Sequence, residues 1–319
     1  MRLPGCLTLL LLLAFTARGQ EPFRIDVHLI NVAFSVLDAG GKFIEDLNQD
    51  DFDVTEDNVP QKIAFFARAA DVPLHLGLVA DFSGSQSESI KPHHKDLATF
   101  LKAVVTKRDD AFLVCFANRV RLAQDFTSDS KVIVESLDLI EKMYRGKDIE
   151  PGQFPEIGPR EIRPRNTDTA FFDAVYNSID LKFHQVERGR KALVIFSDGD
   201  DNSSARDEYE TIEISQRTDT VLFCVRYTEM RKDGRPTARN KNGTTVLERM
   251  ARLTGGAAFD AREKNLADHF RAIGDQLRSS YELAYHTTNP TSDGTFRKIQ
   301  IRVNRPGLTV RAKSGYIAN

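Results

Sequence analysis

Three short stretches of the chain place oxygen donors at the ends of apolar runs. The first is Leu74 to Ser85, LHLGLVADFSGS. Leu76, Leu78 and Val79, with small Gly77 and Ala80, form the kind of run that is buried on both faces of a parallel sheet. The run stops at Asp81, and Asp81-Phe82-Ser83-Gly84-Ser85 follows at once. One carboxylate and two hydroxyls thus fall at alternate positions beyond a strand's carboxyl end, where open α/β sheets bind ligands. These are hard oxygen donors, suited to Mg²⁺, Mn²⁺ or Ca²⁺ and poorly matched to zinc or copper. Taken alone, the same residues also serve as ordinary turn and helix-cap residues. The second stretch, Lys191 to Asp198 (KALVIFSD), is another buried-strand run ending in an acid, continued as Gly199-Asp200-Asp201-Asn202. In the third, Thr169-Ala-Phe-Phe-Asp173, a hydroxyl opens a helical pattern.

Catalytic readings fit these residues less well. A phosphotransferase built on Asp81 expects a second acid two positions on, and Ser83 stands there. A hydrolase elbow needs G-x-S-x-G, and Phe82-Ser83-Gly84 lacks the first glycine. No H-x-x-x-H pair occurs for a catalytic zinc. His93 and His94 fall on the first expected helix of the central region, and His75 falls within its first strand. The chain is therefore read as a non-enzyme. Asp200 and Asp201 are read as helix N-terminal or solvated loop acids. The cluster Asn48 to Asp53, with Glu56 and Asp57, is read as solvated loop acids and not as a calcium loop.

The elements that must position the donors follow from periodicity. After the Asp81 loop, Leu97, Phe100, Leu101, Val104 and Val105 repeat at helical spacing. Asp110 to Ala117 reads as a strand, and Val120 to Phe126 as an antiparallel edge strand after a tight turn. Ser128 or Ser130 caps a helix carrying Val132, Ile133, Leu137 and Ile140. A helix begins after Thr169, with Phe172, Val175 and Ile179 on one face. Thr220 to Tyr227 is a strand. Val246, Leu247, Met250 and Leu253 line a helix ended by Gly255-Gly256, Ala257 to Ala261 is a last short strand, and Leu266, Phe270, Ile273 and Leu277 form a helical stripe. Alternating strands and helices imply a doubly wound, mostly parallel α/β sheet.

Flanking this are two strand-patterned segments. In residues 23–72, Ile25, Val27 and Leu29 alternate, then Val32, Phe34 and Val36 alternate in the opposite phase, which predicts a bulge or break at Ile30-Asn31. Asp38 to Gly41 is a turn. Phe52 and Val54 pair with Ile63 and Phe65 across a turn at Glu56 to Pro60. Residues 281–319 alternate again at Ile299, Ile301 and Val303. Each segment has too few strands to be stable alone, so the two are expected to share one small β domain. The expected boundaries are 1–19, 20–72, 73–280 and 281–319. Two polar stretches, Tyr144 to Asp168 and Glu229 to Gly243, read as loops, too broken or too polar for an element, and both are expected near the carboxyl edge of the sheet.

Composition limits the functions. With 41% hydrophobic residues among 319, a large core is available, and with no Trp the 21 Phe must supply most aromatic packing. A formal net charge of −2 argues against binding driven by nucleic-acid phosphates. Residues 1–19 carry Arg2, an apolar centre from Leu7 to Phe15 and Ala17-Arg18-Gly19, the pattern of an export signal. Its centre is too short to span a bilayer. Export permits disulfides, yet Cys115 and Cys224 each sit inside an apolar run and are expected to be buried free thiols.

The three donor stretches, in this order, resemble the von Willebrand factor A domain and its metal-ion-dependent adhesion site. That family uses D-x-S-x-S, then a distant Thr, then an Asp that ends a strand before Gly. The matching positions are Asp81, Ser83, Ser85, Thr169 and Asp198. The resemblance implies a Rossmann-like fold in which the two strands bearing Cys115 and Cys224 have two others between them. It implies that Ser83, Ser85 and Thr169 ligate Mg²⁺ (or Mn²⁺ or Ca²⁺) directly, while Asp81 and Asp198 balance the charge directly or through water. An open position would then accept a carboxylate from a protein partner. The chain departs from the family in one place: Thr167-Asp168 stand where two glycines commonly precede the Thr. The β front, the A domain and the tail from Asp293-Gly294 to Gly315-Tyr316 look like the A-related family of secreted bacterial (acidobacterial-type) proteins. The implied function is an exported or periplasmic adhesion-type module with an acidic protein ligand, no nucleic acid and no membrane span. The alternatives are a scaffold stabilised by metal without a ligand in trans and, further off, a metal-dependent hydrolase.

Overall fold

The computed structural model describes residues 29–68, 72–83, 94–144, 146, 153–158, 169–186, 188–227, 238–261 and 266–318. Residues 1–19, expected to be an export signal, Ser85 and most of the two polar stretches lie outside the described residues.

The first four strands are β1 (Leu29–Leu37), β2 (Phe52–Glu56), β3 (Val59–Gln61) and β4 (Ile63–Arg68). The central region contains β5 (Leu74–Asp81), α1 (His94–Val104), β6 (Asp110–Phe116), β7 (Val120–Thr127), α2 (Ser130–Tyr144), α3 (Phe171–Lys182) and β8 (Arg190–Ser197). It continues with α4 (Glu208–Arg217), β9 (Thr220–Arg226), α5 (Ala238–Leu253), β10 (Ala258–Asp260) and α6 (Leu266–Arg278). The tail is β11 (Ser280–His286), β12 (Phe296–Val303), β13 (Thr309–Ala312) and β14 (Gly315–Ile317).

The central sheet has the order β10-β9-β8-β5-β6-β7. All neighbours are parallel except β7, which folds back antiparallel on β6 as the edge. Side chains of α1, α2 and α6 join one core on one face of the sheet, and side chains of α3, α4 and α5 join another on the opposite face. This is the doubly wound α/β class expected from the alternation. Phe fills the place of Trp: Phe100 stacks on Phe270 at 4.7 Å, and Phe112 meets Phe126 and Phe183 edge-on at 5.0 and 5.3 Å. Gly77 on β5 makes room for this packing, since a Cβ there would lie 2.5 Å from Phe112 Cζ and 2.2 Å from Leu193 Cδ1. Cys115 and Cys224 are free and buried on β6 and β9, with β8 and β5 between those strands.

Outside this sheet, the terminal segments pair into two antiparallel four-stranded sheets, β13-β1-β11-β4 and β14-β12-β2-β3. Val32, Phe34, Val36, Phe52, Val54, Tyr281, Leu283, Tyr285 and Ile299 fill the core between them. Front and tail strands alternate in the first sheet, and in the second the tail strand β12 pairs with the front strand β2, so neither segment completes a sheet without the other.

Several local expectations are corrected. Among the described residues β1 is unbroken, and its register with β11 runs from Leu29 to Ser35 without a shift. The irregularity lies instead where β11 meets β4, between Ala284 and Tyr285. That extra residue changes the phase of β4, so Ile63 and Phe66 face the core and Phe65 is exposed. The turn after β2 is a two-residue hairpin at Asp57-Asn58, both at positive φ (49° and 68°), which leads into β3; β4 then leaves for the other sheet. Glu56 is not a solvated loop acid but is buried. The acceptor at the start of α2 is Asp129, whose carboxylate takes the Lys131 N–H at 2.9 Å. Periodicity did not mark α4, which has a short apolar face around Ile212 and Ile214 but an Asp207–Glu210 capping box. Part of the Pro-containing stretch has a role in the sheet. Glu156 bridges Arg121 of β7, the Leu122 N–H donates to Pro155 O at 2.9 Å, and the Ile157 N–H donates to Val120 O at 2.9 Å. This segment covers the outer edge of β7, which would otherwise present unpaired backbone groups. The stretch expected as a loop at 229–243 is helical from Ala238.

Candidate metal centre

The chain after β5 runs to α1 on one face of the sheet, and the chain after β8 runs to α4 on the other. β5 and β8 are neighbours, so a crevice opens between their carboxyl ends, at the switch point where doubly wound sheets hold ligands. Asp81 is the last residue of β5, and Asp198 follows the last residue of β8. In the register Ala80 pairs Phe196, which sets the ends of the two strands side by side.

Asp81 is fully buried. Its Oδ1 accepts the Ser83 N–H at 2.8 Å, and its Oδ2 accepts the Ser197 hydroxyl at 2.6 Å. Burial raises its carboxyl from 3.8 to about 7; the hydrogen bonds from Ser197 and Ser83 oppose the rise, and the Asp198 charge adds to it. Asp198 is 3% exposed, and its Oδ1 accepts the Asp200 N–H at 3.1 Å. Ser83 and Thr169 are also buried. Thr169 is drawn to the same edge by its neighbours: the Ala170 N–H donates to Ala117 O, just past the end of β6, at 2.9 Å. Asn202 Oδ1 accepts the Thr169 N–H at 2.7 Å. Four of the five expected ligands, Asp81, Ser83, Thr169 and Asp198, therefore come from three segments to one edge of the sheet.

Gly199 turns the chain away from Asp198 at φ +76°. A Cβ on Gly199 would lie 2.7 Å from Gly243 O, and one on Gly243 would lie 2.0 Å from Asp198 O. Gly243 inside α5 weakens that helix by about 1 kcal/mol relative to Ala, but it lets the helix seat against the Asp198 turn.

The donor set suits a hard cation. Among the described residues no group of three or more His, Cys, Asp and Glu side chains gathers as a metal site. Here the donors are two carboxylates and neutral hydroxyls. Burial and, to a smaller extent, the Asp198 charge oppose ionisation of Asp81, and a divalent cation at this edge would relieve that opposition.

Sequence reasoning missed Ser197 and the roles of Asp201, Asn202 and Ser204. Ser197 is buried, donates to Asp81 and accepts the Gly199 N–H at 3.1 Å, so it links the two acids' segments. Its signal was a hydroxyl inside an otherwise apolar strand run. Asp201 is a helix N-terminal acid as expected, but for α3 and not for the helix that follows it: its Oδ1 accepts from the Phe171 N–H at 2.8 Å.

No protein-family model and no curated protein matches the chain. Among solved structures, an aerotolerance-related membrane protein from Bacteroides fragilis aligns at 14% identity and a TM-score of 0.43, over 64% of this chain and 98% of that one. Proximal thread matrix protein 1 from the mussel byssus, with a zinc-occupied MIDAS motif, aligns at 14% identity and a TM-score of 0.45, over 70% of this chain and 49% of that one. BatB from Bacteroides thetaiotaomicron aligns at 13% identity and a TM-score of 0.39, over 64% of this chain and 97% of that one. At these levels no residue role and no function carries over to this chain.

Proposed function

We propose that the chain is a non-enzymatic, divalent-cation-dependent protein-binding module. Asp81, Ser83, Thr169 and Asp198 would hold the ion, with Ser85 of the same D-x-S-x-S motif. When bound, the cation supplies an electrophilic centre with room for a carboxylate from a partner. The observation that carries this reading is the pair of buried acids at the switch point, Asp81 and Asp198; burial, with a smaller contribution from the Asp198 charge, raises the Asp81 carboxyl to about 7. The residues of this chain shape that centre. Ser197 orients Asp81, hydroxyls add donors without adding negative charge, and burial of all four described ligands keeps competing water low. Mg²⁺ fits best, because its six oxygen positions exceed what five single donors supply and leave a place for a partner. His75 pairs with Asp110 at the opposite edge of the sheet, away from this crevice. Among the described residues no helix is long and apolar enough to cross a membrane. With the export-signal pattern, the protein is proposed to act outside the cytoplasm.

The test is calorimetric titration of wild type and Asp81→Ala with Mg²⁺ and Mn²⁺, followed by capture of envelope proteins in Mg²⁺ or in chelator. Binding of both ions by wild type alone, with capture lost in chelator, supports the module. Equal titrations of the two proteins, or equal capture in chelator, would refute it.

A further inference from the structure

Thr169 and Asp198 belong to segments well apart in the chain, yet each segment supplies hydrogen-bond acceptors to backbone amides of the other. The N-cap residue of α3 is Ala170, which has no side-chain oxygen to offer. The first amides of α3 are met instead by the loop after Asp198. Asp201 Oδ1 accepts from the Phe171 N–H at 2.8 Å and the Phe172 N–H at 3.3 Å, and Ser204 Oγ accepts from the Asp173 N–H at 3.0 Å. Ser204 Oγ in turn donates to Asp201 Oδ1. The exchange is reciprocal. Asp173, buried on α3, accepts from the Ala205 N–H and the Arg206 N–H, each at 3.0 Å. Thr169 itself closes the ring: its N–H donates to Asn202 Oδ1, and its carbonyl accepts from the Asn202 and Ser203 N–H groups at 3.1 and 3.3 Å.

We propose that Asp201 and Asp173 are positioning residues that clamp the Thr169 segment to the Asp198 loop, so that the cation meets one preset half-site and not two independent loops. The proposal rests on the metal-centre reading above. Its physical basis is that the N-terminal amides of α3 and the loop amides of Ala205 and Arg206 need acceptors and that each acceptor here lies on the other ligand's segment. Movement of either ligand segment therefore breaks backbone hydrogen bonds on both. The backbone position of Thr169 is set by Asn202, whose side chain and N–H both bond to it. Outer partners that orient ligands in this way change metal affinity without touching the metal.

The test compares wild type with Asp201→Ala, Asp201→Asn and Asp129→Ala, the last removing a cap from α2, which is far from the site in sequence and packs on the other face of the sheet. Mn²⁺ is titrated by calorimetry, thermal midpoints are recorded, and amide hydrogen exchange is followed without metal. Asp201→Ala is expected to weaken Mn²⁺ by about 10–100-fold. Asp201→Asn, which keeps an acceptor oxygen, should restore most of the affinity, and Asp129→Ala should lower the midpoint without changing affinity. Wild-type affinity in Asp201→Ala, with a lowered midpoint only, would reduce the pair to ordinary helix caps and overturn the clamp. If wild type itself binds no Mn²⁺, the metal-centre reading fails, and exchange decides the clamp separately. Asp201→Ala must then speed exchange at Phe171 and Phe172 and also at Ala205 and Arg206, whose own acceptor is unchanged. Faster exchange at Phe171 and Phe172 alone overturns the clamp.

Discussion

Two of the buried carboxylates among the described residues, Glu56 and Asp81, accept hydrogen bonds from hydroxyls and serve different ends. Glu56, in the β domain, accepts the Tyr285 hydroxyl at 2.8 Å, the Tyr316 hydroxyl at 3.0 Å and the Thr287 hydroxyl at 2.6 Å. These donors lie on or just beyond β11 and on β14, while Glu56 ends β2, so one acid ties the two sheets together. The neighbouring acid, Asp57, is turned outward, where it accepts the Lys298 N–H. Asp81 has comparable hydrogen bonds from Ser83 and Ser197, but a second buried acid, Asp198, couples to it. A buried carboxylate with neutral donors and no facing acid is a structural tie. The same carboxylate beside another acid is poised for a cation. The comparison separates stability from binding by residue.

The largest expected effect is at Asp81. A rise from 3.8 to about 7 corresponds to on the order of 4 kcal/mol against the ionised folded state. Asp81→Asn should therefore abolish Mg²⁺ binding and, without metal at pH 8, stabilise the fold by up to about 4 kcal/mol in urea unfolding. A metal-free variant less stable than wild type would break the comparison.

The same free energy sets a pH dependence. Between pH 4 and 7 the folded, metal-free protein holds a proton on Asp81 that the unfolded chain has released. This contribution makes metal-free stability fall as pH rises through that window and level off above about 7. Mg²⁺ competes with that proton, so its affinity should strengthen over the same range and the metal-dependent gain in thermal midpoint should be greatest above pH 7. Midpoints measured with and without Mg²⁺ from pH 4 to 8 check both signs.

Glu56→Ala should act in the opposite sense. It leaves three hydroxyls of the β domain without their acceptor and is expected to cost about 3 kcal/mol of stability. Mg²⁺ affinity should stay at the wild-type value, because the site lies on the other sheet. A change in Mg²⁺ affinity at constant fold would show that the two regions are coupled.

The smallest effects belong to the neutral ligands. Ser83→Ala and Thr169→Ala each remove an uncharged oxygen and should weaken Mg²⁺ by about tenfold, or ~1.4 kcal/mol, with little change in stability. Loss as complete as in Asp81→Asn would mean that the hydroxyls, and not the paired acids, dominate the site.

Much of this was legible in the residues. Apolar runs ending in Asp81 and Asp198 can be read because a strand buried on both faces leaves a continuous apolar signature and an acid cannot continue it without a partner. The same holds for Cys115 and Cys224, which only a buried strand would surround so completely. α4 was not legible: its apolar face is short, and its strongest mark is the capping box at Asp207 and Glu210. The phase of β4 could not be read either, because the extra residue that shifts it is a property of the pairing with β11 and not of β4 alone.

By itself the sequence determined local things: which runs are buried, where they stop, and which oxygen donors stand at those stops. These depend on side-chain chemistry at spacings of two to four residues, which the chain carries everywhere along it. The tertiary structure decided which stops meet. The side-by-side placement of β5 and β8 makes Asp198 raise the proton affinity of Asp81, aligns Ser197 with Asp81 and turns Asp201 from a loop acid into the cap of a helix thirty positions earlier. Electrostatic coupling and cap exchange act through space over a few ångströms, so they arise only once long-range strand pairing has brought those segments together.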